Sequence, residues 1–135
     1  MSSQTLIGLD VGEKRIGVSV ADTGVRIAVP FTTIEVDGNE LQAIAELVIK
    51  EDAEVIVVGY PRNQSGEATA QTNYVENFAK HLENLEVKIA FQDESLTSVM
   101  AEQQLIEHKK PYTKGDIDSH AAAIILQDYL EVNYG

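Results

Sequence analysis

Cysteine is absent from the 135-residue chain. That excludes a disulfide framework, a thiolate zinc site and a cysteine nucleophile. The three histidines, His81, His108 and His120, are too scattered for a histidine-rich metal cage. No apolar run approaches the ~18 residues needed to cross a membrane. The opening Met1-Ser2-Ser3-Gln4-Thr5 shows no basic stretch ahead of a long apolar run, so no signal peptide is visible and a cytoplasmic location is expected. Basic residues are scarce as well. Ten Lys and Arg stand against 22 Asp and Glu, a formal net charge of −12. A general nucleic-acid coat or membrane-surface binder carries the opposite sign. On composition alone, nucleic acid ranks low as a partner.

What is present suffices for a core. With 44% hydrophobic and 24% charged residues, the chain reads as a soluble globular protein, one domain over residues 1–135. Apolar residues mark a strand over 5–11, and alternation marks a second over 16–21, joined by the turn Gly12-Glu13-Lys14-Arg15. A third extended segment spans 26–36, where Pro30 suggests an edge or a bulge. Leu41, Ile44, Ala45, Leu47 and Val48 recur at helical spacing over 40–51. The continuously apolar run 55–59 reads as a strand covered on both faces, followed by a loop over 61–66. Tyr74, Val75, Phe78, Ala79 and Leu82 mark a helix. A strand over 87–91, a helix over 98–108, a basic loop over 109–115 and a buried helix over 117–130 complete the order β-β-β-α-β-α-β-α-α. The expected class is α/β: a mixed five-stranded sheet, three antiparallel strands then parallel ones, flanked by helices.

Three acidic positions stand out. Asp10 sits late in an apolar strand, where a carboxylate is costly unless paired or bound to a cation, although it could equally cap the turn at Gly12. Asp93 and Glu94 follow a later strand, beyond whose carboxyl end ligands gather in open α/β sheets; a solvated acidic loop explains them too. Asp116 and Asp118 precede the last helix, where one cap accounts for one acid but not readily for both. Taken together, such hard oxygen donors suit Mg²⁺ or Mn²⁺ and not zinc. Two such ions can activate water and stabilise the leaving oxygen in phosphodiester cleavage. Five of the ten basic residues, Lys14, Arg15, Lys109, Lys110 and Lys114, lie in two short loops, with Arg62 in a third. These form either a local basic rim or ordinary solvated charge.

Four segments then resemble one family. Gly8-Leu9-Asp10-Val11-Gly12-x-Lys14-x-Ile16-Gly17-Val18-x-Val20-Ala21 resembles the opening of the YqgF-type family, whose members are described as Holliday junction resolvases or pre-16S rRNA nucleases. Gly59-x-Pro61-x-Asn63-x-x-Gly66, Asp93-Glu94-x-Leu96-Thr97-Ser98, and Lys114-Gly115-x-x-Asp118-Ser119-x-Ala121-Ala122 with Ile125-Leu126-Gln127 resemble its second, third and fourth motifs, in order and over nearly the whole chain. The resemblance implies an RNase H-like fold and a divalent-metal nuclease site, with Asp10, Glu94 and Asp118 as catalytic ligands of one or two Mg²⁺ or Mn²⁺ ions. Asp116 has no match and reads as a cap or an accessory charge. Lys14, Arg15, Arg62, Asn63 and Lys114 are the implied nucleic-acid contacts. Two departures are visible: Ser95 stands where the third motif commonly has arginine, and Tyr60 where the second often has leucine.

The implied function is an endonuclease maturing the 5′ end of pre-16S rRNA, with ribosomal or transcription proteins as further partners and a monomer or weak homodimer as the working form. Holliday junction resolution uses the same chemistry but needs two sites facing two strands, hence a dimer. A non-catalytic transcription or ribosome-assembly factor is a reading of another class, against which the three acids stand. An actin-like sugar kinase shares the Asp-x-Gly hairpin but clamps ATP between two such domains, and 135 residues supply one.

Overall fold

In the computed structural model, which describes residues 3–61, 69–94, 97–109 and 111–134, the turn beginning at Gly12 closes a hairpin. Its strands are β1 (Thr5–Val11) and β2 (Arg15–Asp22), with the Gly12 N–H donating to the Arg15 carbonyl at 3.0 Å. The third strand, β3 (Val29–Glu35), pairs antiparallel with β2. Helix α1 (Glu40–Glu51) leads to β4 (Ala53–Pro61), which lies parallel to β1. Helix α2 (Ala70–Leu82) leads to β5 (Lys88–Glu94), parallel to β4. Helices α3 (Thr97–Glu107) and α4 (Lys114–Tyr134) follow. The sheet order is β3-β2-β1-β4-β5, the expected mixture of antiparallel and parallel strands.

Strand periodicity sorts the side chains into two cores. Ile7, Leu9, Ile16, Val18, Ile56 and Val58 bury one face together with Ile44 and Val48 of α1 and Val75, Phe78 and Leu82 of α2. Leu6, Val55 and Val57 bury the other against Ile125, Leu126, Tyr129 and Leu130 of α4. The buried Ser19 hydroxyl fastens this second layer by donating to the Ala122 carbonyl at 2.8 Å.

Several boundaries differ from those read in the sequence, and three of the differences have a clear physical cause. The extended segment 26–36 is a strand only over Val29–Glu35. Before it, Arg26 takes a left-handed conformation (φ 64°), and α4 claims the backbone: the Gln127 side chain accepts from the Ala28 N–H and donates to the Arg26 carbonyl. Pro30 lies on the sheet's edge strand beside a register shift, as its missing N–H requires. The strand expected over 87–91 runs on to Glu94, because pairing with β4 continues through Tyr60↔Asp93 and Pro61↔Glu94. The last helix begins at Lys114 instead of 117. Thr113 and Asp116 cap it reciprocally: the Asp116 N–H donates to Thr113 Oγ1 at 3.1 Å, and the Thr113 N–H donates to Asp116 Oδ2 at 2.9 Å. Asp116 is therefore the capping acid, and Asp118 lies inside the helix.

Candidate active site

Alternation places Asp10 of β1 on the α4 face, because Ile7, Leu9 and Val11 face the opposite core. The extension of β5 has the same consequence for the two adjacent acids. Ala90 packs with the α4 core and Ile89 with the other, so Glu94 faces α4 while Asp93 faces α2. Since β1, β4 and β5 are parallel, Asp10 and Glu94 both stand at the carboxyl edge of the sheet. Asp118, one turn into α4, completes the corner.

Two glycines permit this approach. Gly17 is the antiparallel partner of Asp10. A Cβ on Gly17 would lie 1.9 Å from the Asp118 carbonyl oxygen, so only glycine lets α4 descend here. A Cβ on Gly59 would lie 2.6 Å from Glu94 Oε2 and 2.6 Å from Ile125 Cδ1. The sequence motifs contained both glycines; their role becomes visible only when α4 and β5 are placed over them.

The other two acids act on Asp10. Burial, then the negative charges of Glu94 and Asp118, push the Asp10 carboxyl from its ordinary 3.8 up to about 8. At neutral pH, without a counter-charge, Asp10 is therefore mostly protonated. The linkage has a definite sign. The folded state keeps a proton that the unfolded chain releases near pH 4, so this contribution is fully present below pH 4 and is lost as pH rises towards 8. In chelator, wild-type stability measured by urea denaturation at a series of pH values is expected to decline between pH 5 and 8 relative to Asp10→Asn. Parallel profiles would contradict this electrostatic picture.

Asp118 has a counter-charge already: Arg15 Nε donates to its Oδ2 at 2.7 Å across 103 residues of sequence. Arg15, Lys14, Gly12, Glu13, Gln71 and Asp118 line a cavity of about 410 Å³. Gln71, which the sequence reading did not single out, donates to the Val11 carbonyl at 3.0 Å and ties α2 to the end of β1. Lys14 is exposed in the hairpin turn, and Lys114 is exposed one helical turn ahead of Asp118. Arg62, Asn63 and Ser95 lie outside the described residues. A larger cavity of about 490 Å³ opens on the α2 face between Tyr60, Lys80, Phe91 and Asp93, away from the three acids.

The donor chemistry fits a hard divalent cation: carboxylate oxygens alone, drawn from three elements, on a corner where burial and then the charges of Glu94 and Asp118 raise the Asp10 carboxyl. Among the described residues, however, no three His, Asp or Glu side chains converge as a ready-made cage.

The RuvX family model, described as Holliday junction resolvase, matches residues 4–132. A relative from Chloroflexus aggregans, named as a pre-16S rRNA nuclease, is 43% identical over 136 residues, covering 97% of this chain and 96% of the relative. Among solved structures, Thermus thermophilus RuvC in complex with a Holliday junction substrate superposes with a TM-score of 0.59 at 14% identity, over 98% of this chain and 97% of that one. The fowlpox virus resolvase, in complex with Holliday junction DNA, gives 0.55 at 15% identity, over 96% and 98%. These two likenesses concern the fold, which is RNase H-like as the four motifs implied.

Proposed function

Since the chain belongs to the RuvX family, the YqgF-type family of its four motifs, we propose that it is a divalent-metal endonuclease that hydrolyses phosphodiester bonds and matures the 5′ end of pre-16S rRNA in the cytoplasm. The observation that carries this reading is the gathering of Asp10, Glu94 and Asp118 from three elements at one corner of the sheet, with the charges of Glu94 and Asp118 near enough to act on the Asp10 carboxyl. Asp10, Glu94 and Asp118 would hold one or two Mg²⁺ or Mn²⁺ ions, which when bound supply activation of water and stabilisation of the leaving 3′ oxygen. The chain itself contributes position. Lys14 and Lys114 on the rim meet backbone phosphates, and they do so without reading sequence. Arg62 and Asn63 are proposed for the same role. The acidic remainder of the surface, at −12 overall, weakens indiscriminate RNA binding and leaves selection to the site and to ribosomal or transcription partners.

The family model's own description favours a second substrate, the four-way DNA junction. The two are separated by incubating the full chain with a precursor 16S rRNA fragment and with a synthetic junction, each in Mg²⁺ and in EDTA, alongside a native mass measurement. The expected result is a cut at the 5′ side of the mature rRNA in Mg²⁺ only, an intact junction, and a monomer or weakly paired species. Symmetric cleavage of the junction by a stable dimer, with the RNA untouched, would transfer the assignment. Cleavage of neither would leave a binding factor.

A further inference from the structure

One of the three acids already has a cationic partner. Arg15 and Asp118 form an ion pair at 2.7 Å, with 29% and 21% of their side chains exposed, so both are within reach of solutes. Arg15 starts β2 and stands across from Glu35 of β3, whose negative charge also acts on the guanidinium. The guanidinium is permanently positive. A divalent ion placed on Asp118 would therefore bring like charge against it. The carboxylates of Glu94 and Asp118, joined by Asp10 once it gives up its proton to the arriving ion, attract that ion more strongly than one guanidinium can offset. The cavity beside the pair, about 410 Å³ and shared with Lys14, gives the displaced side chain space and a cationic neighbour. Glu13 and Asp118 line the same cavity, so it becomes favourable for a phosphate once a cation offsets Asp118 and the guanidinium is free to offer its paired N–H donors beside the Lys14 ammonium.

We propose that Arg15 is the counter-ion of the unloaded site: it holds Asp118 until a divalent cation takes that carboxylate, and the freed guanidinium then binds a phosphate of the substrate. Metal loading and substrate capture become one linked event. Arg15 is in this role a positioning residue for Asp118 first and a substrate contact second. The proposal rests on the assignment of Asp10, Glu94 and Asp118 as cation ligands.

The test is calorimetric titration of the full chain with Mn²⁺ alone. Wild type, Arg15→Gln, Arg15→Lys, Asp118→Asn and the Arg15→Gln/Asp118→Asn double variant are compared, each checked for folding by circular dichroism. Arg15→Gln is expected to tighten Mn²⁺ binding about two- to fivefold, as loss of a partly exposed competing ion pair would. Arg15→Lys should fall between it and wild type, and the Arg15 effect should vanish when Asp118 is already Asn. A second readout is the salt dependence of binding a short single-stranded RNA. In Ca²⁺, Arg15→Gln should lose roughly 0.7 of the logarithmic slope, the amount for one phosphate. In EDTA the slope should not change.

Unchanged or weaker Mn²⁺ affinity in Arg15→Gln, with wild type binding normally, overturns this proposal alone. If Arg15→Gln does not fold, the same result in Arg15→Lys does so. Equal loss of slope in EDTA and Ca²⁺ overturns the release step. Absence of Mn²⁺ binding by wild type removes the cation reading of the carboxylates, and this proposal with it.

Discussion

Asp10→Asn is expected to reduce metal-dependent cleavage at least about a thousandfold while making the metal-free protein more stable. The substitution keeps the side chain's shape and removes one charged donor from a site that has three. Loss of activity alone would be ambiguous, because a damaged fold also loses activity. The second half of the prediction resolves this. Asp10 carries a carboxyl pushed up to about 8 by burial and by Glu94 and Asp118. Folding at neutral pH therefore requires uptake of a proton that the unfolded chain does not hold. Asparagine is neutral throughout and removes that cost, which is on the order of a few kcal/mol. In EDTA at pH 7 the variant should melt above wild type. Added Mg²⁺ should raise the melting temperature of wild type and leave the variant nearly unmoved. Thermal melts with and without Mg²⁺, beside initial rates on the precursor fragment, check all three. A variant that cleaves at the wild-type rate would remove Asp10 from the site. One that melts lower in EDTA would contradict the burdened carboxyl.

Among the glycines of the described residues, Gly17→Ala should be the most damaging substitution. Its Cβ would lie 1.9 Å from the Asp118 carbonyl oxygen, 2.3 Å from the carbonyl carbon and 2.9 Å from the Ser119 nitrogen. These are backbone atoms of a 21-residue helix, so no side-chain rotation relieves the contact. Helix α4 must lift away from β2, disturbing the layer of Ile125, Leu126 and Leu130. Overpacking of this kind costs roughly 1–3 kcal/mol or more. Asp118 moves with the helix, and a displacement of about 1 Å at a reacting centre costs on the order of a hundredfold in rate. Gly115→Ala provides the contrast: its Cβ would approach nothing closer than Thr33 Oγ1 at 3.4 Å, a contact that side chain can yield to. Urea denaturation and cleavage rates of the two variants should separate clearly. Equal behaviour would mean that the closeness of α4 to β2 does not set the site.

How much of this was legible beforehand differs from residue to residue. The hairpin, the buried run that became β4 and the two amphipathic helices α1 and α2 follow from local patterning, because strand and helix geometry impose apolar runs and periods that the order of residues displays. Element ends were less legible, since they depend on partners. Residues 26–28 are extended in pattern but are held by Gln127, a hundred positions away. Glu94 belongs to β5 because β4 is there to pair with it. Asp118 lies within α4 because Thr113 and Asp116 cap the helix earlier than the apolar pattern begins.

The acids themselves were visible as acids out of place, and Lys14, Arg15 and Lys114 as scarce positive charge set in short loops. That is what the sequence by itself determined: the order of the elements, the mixed sheet they build and the family they belong to. Tertiary structure alone decided which charges meet. Local sequence carries no information about a contact between residues 15 and 118, because that contact arises from α4 crossing β2 at Gly17, where the absent side chain admits the helix backbone. The same crossing brings the charge of Asp118 to bear on Asp10, since Coulomb interactions depend on separation in space and are blind to separation along the chain.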